Sequence, residues 1–404
     1  MRKSPILAAL LRHKVAAGLI AAQIALTLAI IANALYIVIE RSQLMARPSG
    51  VAEQELFVLG LTPNGSPEQR RADLLADLDA VRKVPGVAGA YLTNSLPMSG
   101  GGWSSSVNLT AEDTGGRDRV TALYMADESS IDTLGLKLVA GRNFEPGELQ
   151  WQEDNKPLRP QSVIITEALA RRLFGDQPAV GRMIGISGVR GDVGTRVVGV
   201  VERLVTPWAG WGQFEQSTLV PIRSDGGPRI AVRVRPGRLD ETVKAVEEAL
   251  WARNPQRVVD GRRTMPEMRA EQYQSDRALV IIMAAITLSL LAVTALGIVG
   301  QASFWVTQRT RQIGVRRALG ATRGQILRYF QAENAIIAGF GIVVGVTLAY
   351  VVNYWMAENF GADRLPWFYL PIGAAIVLLL GQVAVYAPAR RAAQVPPAIA
   401  TRSA

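Results

Sequence analysis

The chain has 404 residues, of which 49% are hydrophobic and 19% charged, with a formal net charge of +10. So apolar a composition excludes a disordered polymer, which needs few apolar groups and high net charge. There is no cysteine and a single histidine, His13. Disulfides, thiolate metal sites, cysteine nucleophiles and histidine-clustered metal centres are thereby excluded, and a Ser-His-Asp triad is open only with His13 as its base.

Residues 1–14 carry Arg2, Lys3, Arg12 and Lys14 and no acid, and residues 15–39 follow without a charge. A run of that length spans the hydrocarbon core as a helix. The basic start and Ala32-Asn33-Ala34 share features with a cleavable signal peptide. The apolar run continues to Ile39, however, longer than a signal's apolar region, and favours an uncleaved anchor.

Residues 40–277 are long enough for a folded domain, predicted as α+β in two lobes. Ser66 is placed to cap a helix with Pro67 at its first position, and Pro85-Gly86 ends it. Strands are predicted over 87–92, 120–124, 162–165, 196–201, 219–222 and 230–234, and helices over 166–174 and 239–253. Gly100 to Trp103 and Gly188 to Asp192 lack phosphate-loop spacing and read as turns. Asp127/Glu128 and Glu247/Glu248 read as solvated faces. Trp208, Trp211 and Phe214 form an aromatic loop, either a lobe contact or a surface for substrate or partner.

Three more uncharged runs follow, at 278–306, 335–356 and 367–389. They define spans at 278–306, 331–356 and 367–389, an elbow at 307–330, a short outer loop at 357–366 and a tail at 390–404. Tyr36, Trp305, Tyr350, Tyr354, Trp355 and Trp367 mark span ends, where a ring with one polar edge is satisfied. The fold class is thus a four-helix membrane protein with a large α+β domain inserted between the first and second helices.

Residues 1–14, 302–330 and 390–404 hold 13 of the 44 basic residues and no acid. The rest of the chain has 31 basic against 34 acidic residues. The basic balance therefore belongs to three short segments that four spans place on one side. The positive-inside rule makes that side cytoplasmic, with the large domain outside. Membrane lipid, not nucleic acid, accounts for the charge.

The second span is predicted to continue as helix to Leu319, with Gly320 as its stop. Thr322 and Gln325 have capping-box spacing for the next helix. Glu333, at the start of the third span, either pairs with an arginine of the elbow or occupies the first helical turns. Gly297 and Gly300, and the Gly341-x-x-x-Gly345 pair, permit close helix packing or reflect ordinary glycine use. The span centres carry no charge, so no proton relay is expected. Phosphate-loop, HExxH, GxSxG and EF-hand motifs do not occur. No catalytic residue and no metal site are expected.

The elbow reads Arg309-Thr310-Arg311-Gln312-Ile313-Gly314-Val315-Arg316-Arg317-Ala318-Leu319-Gly320-Ala321. It resembles the R-x-R-E-I-G-[IV]-R-x-A-L-G-A pattern of the MacB/FtsX-like ABC permease family. Tyr386 to Arg391, Val84 to Val87, Leu134-Gly135, Gly141 to Phe144, Thr166 to Phe174 and Val198 to Val201 are similar to family segments in the same order. The resemblance implies two permeases, identical or homologous, on two cytoplasmic ATPase subunits that hold the ATP and Mg, with no cofactor in this chain. Arg309 to Ala321 would form the ATPase-coupling element, with Ile313, Gly314, Arg316, Arg317, Leu319 and Gly320 resting in a groove of the ATPase.

ATP-driven motion would then pass along the second span to the outer domain of a bacterial inner-membrane protein. Efflux or extrusion of peptides, antibiotics or lipids, with a periplasmic adaptor as a candidate partner, is the implied activity. Lipoprotein release, or regulation of a cell-wall hydrolase without transport, are the alternatives. Gln312 stands where the family has an acid, which leaves the elbow without negative charge and suits one of two unlike permeases sharing an ATPase.

Overall fold

The structure is a computed structural model that describes residues 14–110, 112, 119–153, 156–186, 193–255, 258–360 and 364–395. His13 and the glycine stretch at 188–192 lie outside the described residues. The chain divides into two units, residues 1–46 with 275–404, and residues 47–274.

The first unit is built from four long apolar helices: α1 (Lys14–Met45), α7 (Gln274–Gln308), α9 (Arg323–Phe360) and α10 (Tyr369–Ala393). Each exceeds the roughly 20 residues needed to cross a bilayer. All four extend past the uncharged runs, because a helix leaving the membrane need not stop where its charges begin. The third begins at Arg323, so residues 323–330 of the elbow are the first turns of that helix.

Its packing rests on small residues. A Cβ on Gly341 would lie 2.8 Å from the Ala21 carbonyl oxygen, and one on Gly345 would lie 2.8 Å from that of Ala25. The glycines therefore let α9 approach the backbone of α1, the close-packing alternative for this pair. Gly297 faces the Gln23 side chain, whereas nothing approaches Gly300. Polar side chains tie α7 to α1: Thr27 and Thr294 share a hydrogen bond of 2.8 Å, and Gln23 Nε2 donates to the Val293 carbonyl at 3.2 Å.

The second unit follows from strand periodicity. Strands β1 (Leu56–Thr62), β2 (Val87–Thr93), β12 (Arg229–Val234) and β13 (Val258–Thr264) form an antiparallel sheet in the order β13-β1-β12-β2. Successive strand residues face opposite sides. Phe57, Leu59, Ile230 and Val232 meet helices α2 (Pro67–Arg82) and α5 (Leu239–Arg253) on one face. Leu56, Val58, Tyr91 and Ala231 meet a second sheet on the other.

That second, mixed sheet has the order β3-β4-β10-β7-β9-β5. It comprises β3 (Trp103–Ser106), β4 (Val120–Met125), β5 (Leu138–Gly141), β7 (Ser162–Thr166), β9 (Thr195–Val201) and β10 (Ser217–Val220). Met183–Ile184 (β8) joins β9, and Gln150–Trp151 (β6) pairs with Ile222–Arg223 (β11). Helix α4 (Glu167–Phe174) covers its outer face through Leu169, Ala170 and Leu173. Two sheets, each with its own helices, share the core between them.

Ser66 caps α2 by accepting from the Gln69 amide, with Pro67 at the first turn as the sequence predicts. The short helix α3 (Ser130–Leu134) stops at Gly135, whose φ of 73° is left-handed. Its last residue and this glycine form one of the family-like segments. One expectation fails here. Asp127 is buried at 1% exposure and not solvated; it accepts from Ser129 N at 2.9 Å and Oγ at 2.7 Å, with Arg82 and Arg223 at 3.6 and 3.4 Å. The two arginines come from α2 and β11, so no local pattern announces the pairing.

Helix α6 (Met265–Gln272) ends the second unit. Thr264 and Glu267 form a full capping box, and Met265 and Met268 are buried in the shared core. Arg269 donates to Glu53 Oε1 and to the Arg47 carbonyl, both at 2.6 Å. The two ends of this unit are thereby tied to one another.

Candidate functional site: the helical elbow

Helix α7 does not run unbroken to Leu319. It ends at Gln308, and a separate helix, α8 (Thr310–Ala318), follows a bend at Arg309, where φ is −102° and ψ is 9°. The backbone bonds from Arg309 N to the Trp305 carbonyl and from Ile313 N to the Arg309 carbonyl persist at 3.0 and 2.9 Å. These two bonds bridge the bend, and the Arg309 side chain turns inward. Its Nη1 donates to both Glu333 carboxylate oxygens, at 3.0 and 2.9 Å, and its guanidinium lies 5.7 Å from the centre of the Trp305 ring.

The exposures of the paired side chains are 11% for Arg309 and 1% for Glu333. Glu333 sits about three turns inside α9, so the ion-pair alternative holds and the first-turn alternative does not. The fold also brings a carboxylate to the base of an elbow whose own residues 302–330 contain none.

The stop at Gly320 forms as predicted. Its φ is 96°, and Gly320 N and Ala321 N donate to the Arg317 and Arg316 carbonyls. The next cap forms too: Thr322 N donates to Gln325 Oε1 at 2.9 Å, and Gln325 N to Thr322 Oγ1 at 3.2 Å. Together they reverse the chain in a few residues and fix α8 against the start of α9.

The residues expected to couple are sorted by face. Ile313 and Gly314 are buried, so they hold α8 in place, and Ile313 shows only the little surface it gives to the recess described below. This differs from the expectation that they rest in a partner's groove. Arg317 is spent internally: its Nη1 donates to the Ala393 and Val395 carbonyls at 2.7 and 3.3 Å, at the end of α10. Val315 is 45% and Leu319 83% exposed. Arg311, Gln312, Arg316, Ala318 and Gly320 are exposed beside them, and Ala321 is half-buried.

Between α8 and the start of α9 lies a recess of about 140 Å3. Its floor is apolar, made by Ile313, Ile326 and Phe330, each 5% exposed, with Ala321 at one side. Gln312, Arg316 and Gln325 stand at its rim, and the Arg316 guanidinium lies 4.9 Å over the Tyr329 ring. Sequence reasoning missed this recess and the Arg316–Tyr329 contact. Gln312, Ile313 and Arg316 share one face by helical spacing, but only the sharp return at Gly320 brings that face against Tyr329.

The aromatic loop of the second unit is laid out differently. Trp208 and Trp211 meet edge to face at 5.2 Å and pack against the shared core, both half-buried. Phe214 is 4% exposed, with the Arg47 guanidinium 5.5 Å over its ring. The structure thus brings the three rings to one loop but leaves surface chiefly on the tryptophans. Among the described residues, no group of histidine or acidic side chains could hold a metal ion.

Residues 20–250 match the MacB-like periplasmic core domain family, and residues 284–397 match the FtsX-like permease C-terminal family. The chain belongs to the MacB/FtsX-like ABC permeases. It is a multi-pass membrane protein with an extracytoplasmic domain, and the described helices and sheets are the permease module. Among its relatives, the macrolide export ATP-binding/permease protein MacB of Chromobacterium violaceum is 28% identical over 65% of this chain and 40% of that protein. MacB of Shewanella oneidensis is 27% identical over 80% of this chain and 48% of that protein. The permease thus spans under half the length of these curated relatives. A crystal structure of the periplasmic region of MacB from Actinobacillus actinomycetemcomitans aligns with 57% of this chain and 97% of that one, at 15% identity and a TM-score of 0.36.

Proposed function

We propose that this permease works with an ABC ATPase lying outside these 404 residues, expected as a cytoplasmic partner subunit, and converts ATP-driven motion of the elbow into motion of the outer domain. The observation that carries the reading is the elbow's surface. A lone exposed leucine is ordinary, but Leu319, 83% exposed, and Val315, 45% exposed, stand one helical turn apart at the end of a helix locked by a glycine stop, a capping box and a buried ion pair, a fixed apolar projection that suits docking on a partner. Exposed arginines surround it, which supports a cytoplasmic position for this end of the helices by the positive-inside rule. Two permeases, identical or homologous, would share the ATPase pair. Export of peptides, antibiotics or lipids is the transport class proposed, in keeping with the macrolide export named for the relatives. The Trp208/Trp211 edge is the proposed contact for substrate or a periplasmic adaptor.

The test is purification of the tagged chain from native membranes beside its Leu319→Asp variant. The wild type is expected to carry a P-loop ATPase in stoichiometric amount, and the variant to retain less than a tenth of it with unchanged helix content and membrane insertion. An Leu319→Asp protein with full ATP-dependent activity would refute the reading.

A further inference from the structure

The exposed leucine is one feature of the elbow's surface, and the recess beside it is another. We infer that this recess is a socket for one apolar side chain of the ATPase, with an acidic neighbour of that side chain meeting Arg316. The inference rests on the coupling role proposed above and names the chemistry that the partner must present.

The recess is shaped by residues that are fixed. Ile313 and Gly314 are buried along α8, and Ile326 and Phe330 are buried along α9. Capping at Thr322 and the left-handed Gly320 hold the angle between the helices. The cavity is therefore part of the folded elbow rather than a gap between mobile loops. At about 140 Å3 it admits a single leucine, methionine or phenylalanine side chain, and Ile313, Ile326 and Phe330 offer such a group carbon contacts, with Arg309, paired to Glu333, also on the lining.

Charge decides what surrounds the occupant. Of the arginines near the recess, Arg309 is neutralised by Glu333 and Arg317 is held by two carbonyls. Arg316 remains, lying across Tyr329 at the rim. A lipid headgroup needs several convergent donors for its phosphate, and among the described residues lining the recess Arg316 is the one cation without an ion pair. A second copy of this elbow would bring arginine against arginine, since residues 302–330 contain no acid. A hydrophobic side chain with a carboxylate close by satisfies both the floor and the rim. Leu319 and the socket then form a reciprocal contact: one leucine goes out and one apolar side chain comes in, which resists both pulling and pushing. Gln312, where the family has an acid, leaves the rim without a negative group that would repel this carboxylate.

A photoreactive benzoylphenylalanine replaces Gln312, an exposed rim position, or Leu319, in the full-length chain in native membranes. Adducts are mapped by mass spectrometry. Retention of the ATPase is measured in parallel for Ala321→Leu, which fills the socket, and for Ala321→Ser, which does not. The expected result is an adduct from position 312 on the ATPase, at an apolar residue with Asp or Glu within one helical turn. Ala321→Leu should lower ATPase retention at least tenfold, and Ala321→Ser less than twofold. If position 319 captures the ATPase while position 312 captures lipid, a second copy of this chain or nothing, the socket is overturned and the coupling role stands. If neither position captures an ATPase, both are overturned. The crosslinks decide the matter even if Ala321→Leu folds poorly.

Discussion

Glu333→Leu should be among the most damaging single changes in the membrane helices, and Arg309→Met should match it. Glu333 is 1% exposed, and its partner donates to both of its oxygens within 3.0 Å. With charge centres about 4 Å apart and an effective dielectric near 20, the attraction is about 4 kcal/mol. Removing one partner forfeits this and leaves the other charge buried, a loss of about 3–5 kcal/mol. Replacing both with apolar residues removes the charges together and should return to within about 1 kcal/mol of the wild type. The assay is SDS-induced unfolding of the full chain in mixed micelles, followed by far-ultraviolet circular dichroism, for both single variants and the double. Single losses below about 1 kcal/mol, the range of exposed pairs, would refute the argument, because the pair would then be solvated. A double variant as damaged as the singles would also refute it, since shape rather than charge would be responsible.

Gly345→Ala and Gly339→Ala should move stability in opposite directions. The new methyl group at 345 meets the Ala25 backbone at 2.8 Å and should cost about 1–3 kcal/mol, whereas nothing lies within 4 Å at 339 and the helix should gain about 1 kcal/mol; the same SDS titration reads both. In the outer domain, two hydrogen bonds from Arg142 and one from the Glu145 amide pull Glu148 down to about 2. A carboxyl lowered in the folded state stabilises above its ordinary range and loses that contribution as pH falls from about 4.5 toward 2. Arg142 is 45% exposed, so screening reduces the effect to about 1 kcal/mol. Hydrogen-exchange protection across residues 138–149 of the full chain, corrected for the intrinsic rate, should fall between pH 5 and 3, and Glu148→Gln should flatten that fall; an unchanged slope in the variant would assign the acid sensitivity elsewhere.

Local chemistry made much of this protein legible from its sequence. Four uncharged runs state four membrane helices, because no other segment of a soluble chain needs twenty consecutive residues without charge. Ser66 with Pro67, Gly320, and Thr322 with Gln325 state where helices begin and end, since each cap is satisfied by residues within one turn. Strands with long β-branched runs, such as β7 and β9, were equally plain. Short edge elements such as β3 and β5, and the outer strand β13 with its run of charges, were missed, because their partners rather than their side chains make them strands.

What the tertiary structure alone decided is which charged and small residues are spent inside. Asp127 looked like a solvated carboxylate until α2 and β11 delivered two arginines to it. Gly341 and Gly345 were two glycines among many until α1 lay against them. The thirteen residues of the elbow pattern read alike in sequence, yet Ile313, Gly314 and Arg317 hold the elbow together, while Val315, Arg316 and Leu319 face outward. Sequence fixes a helix and its ends through contacts within a few residues. Which face of that helix is free depends on contacts tens or hundreds of residues away, and only the folded chain brings those together.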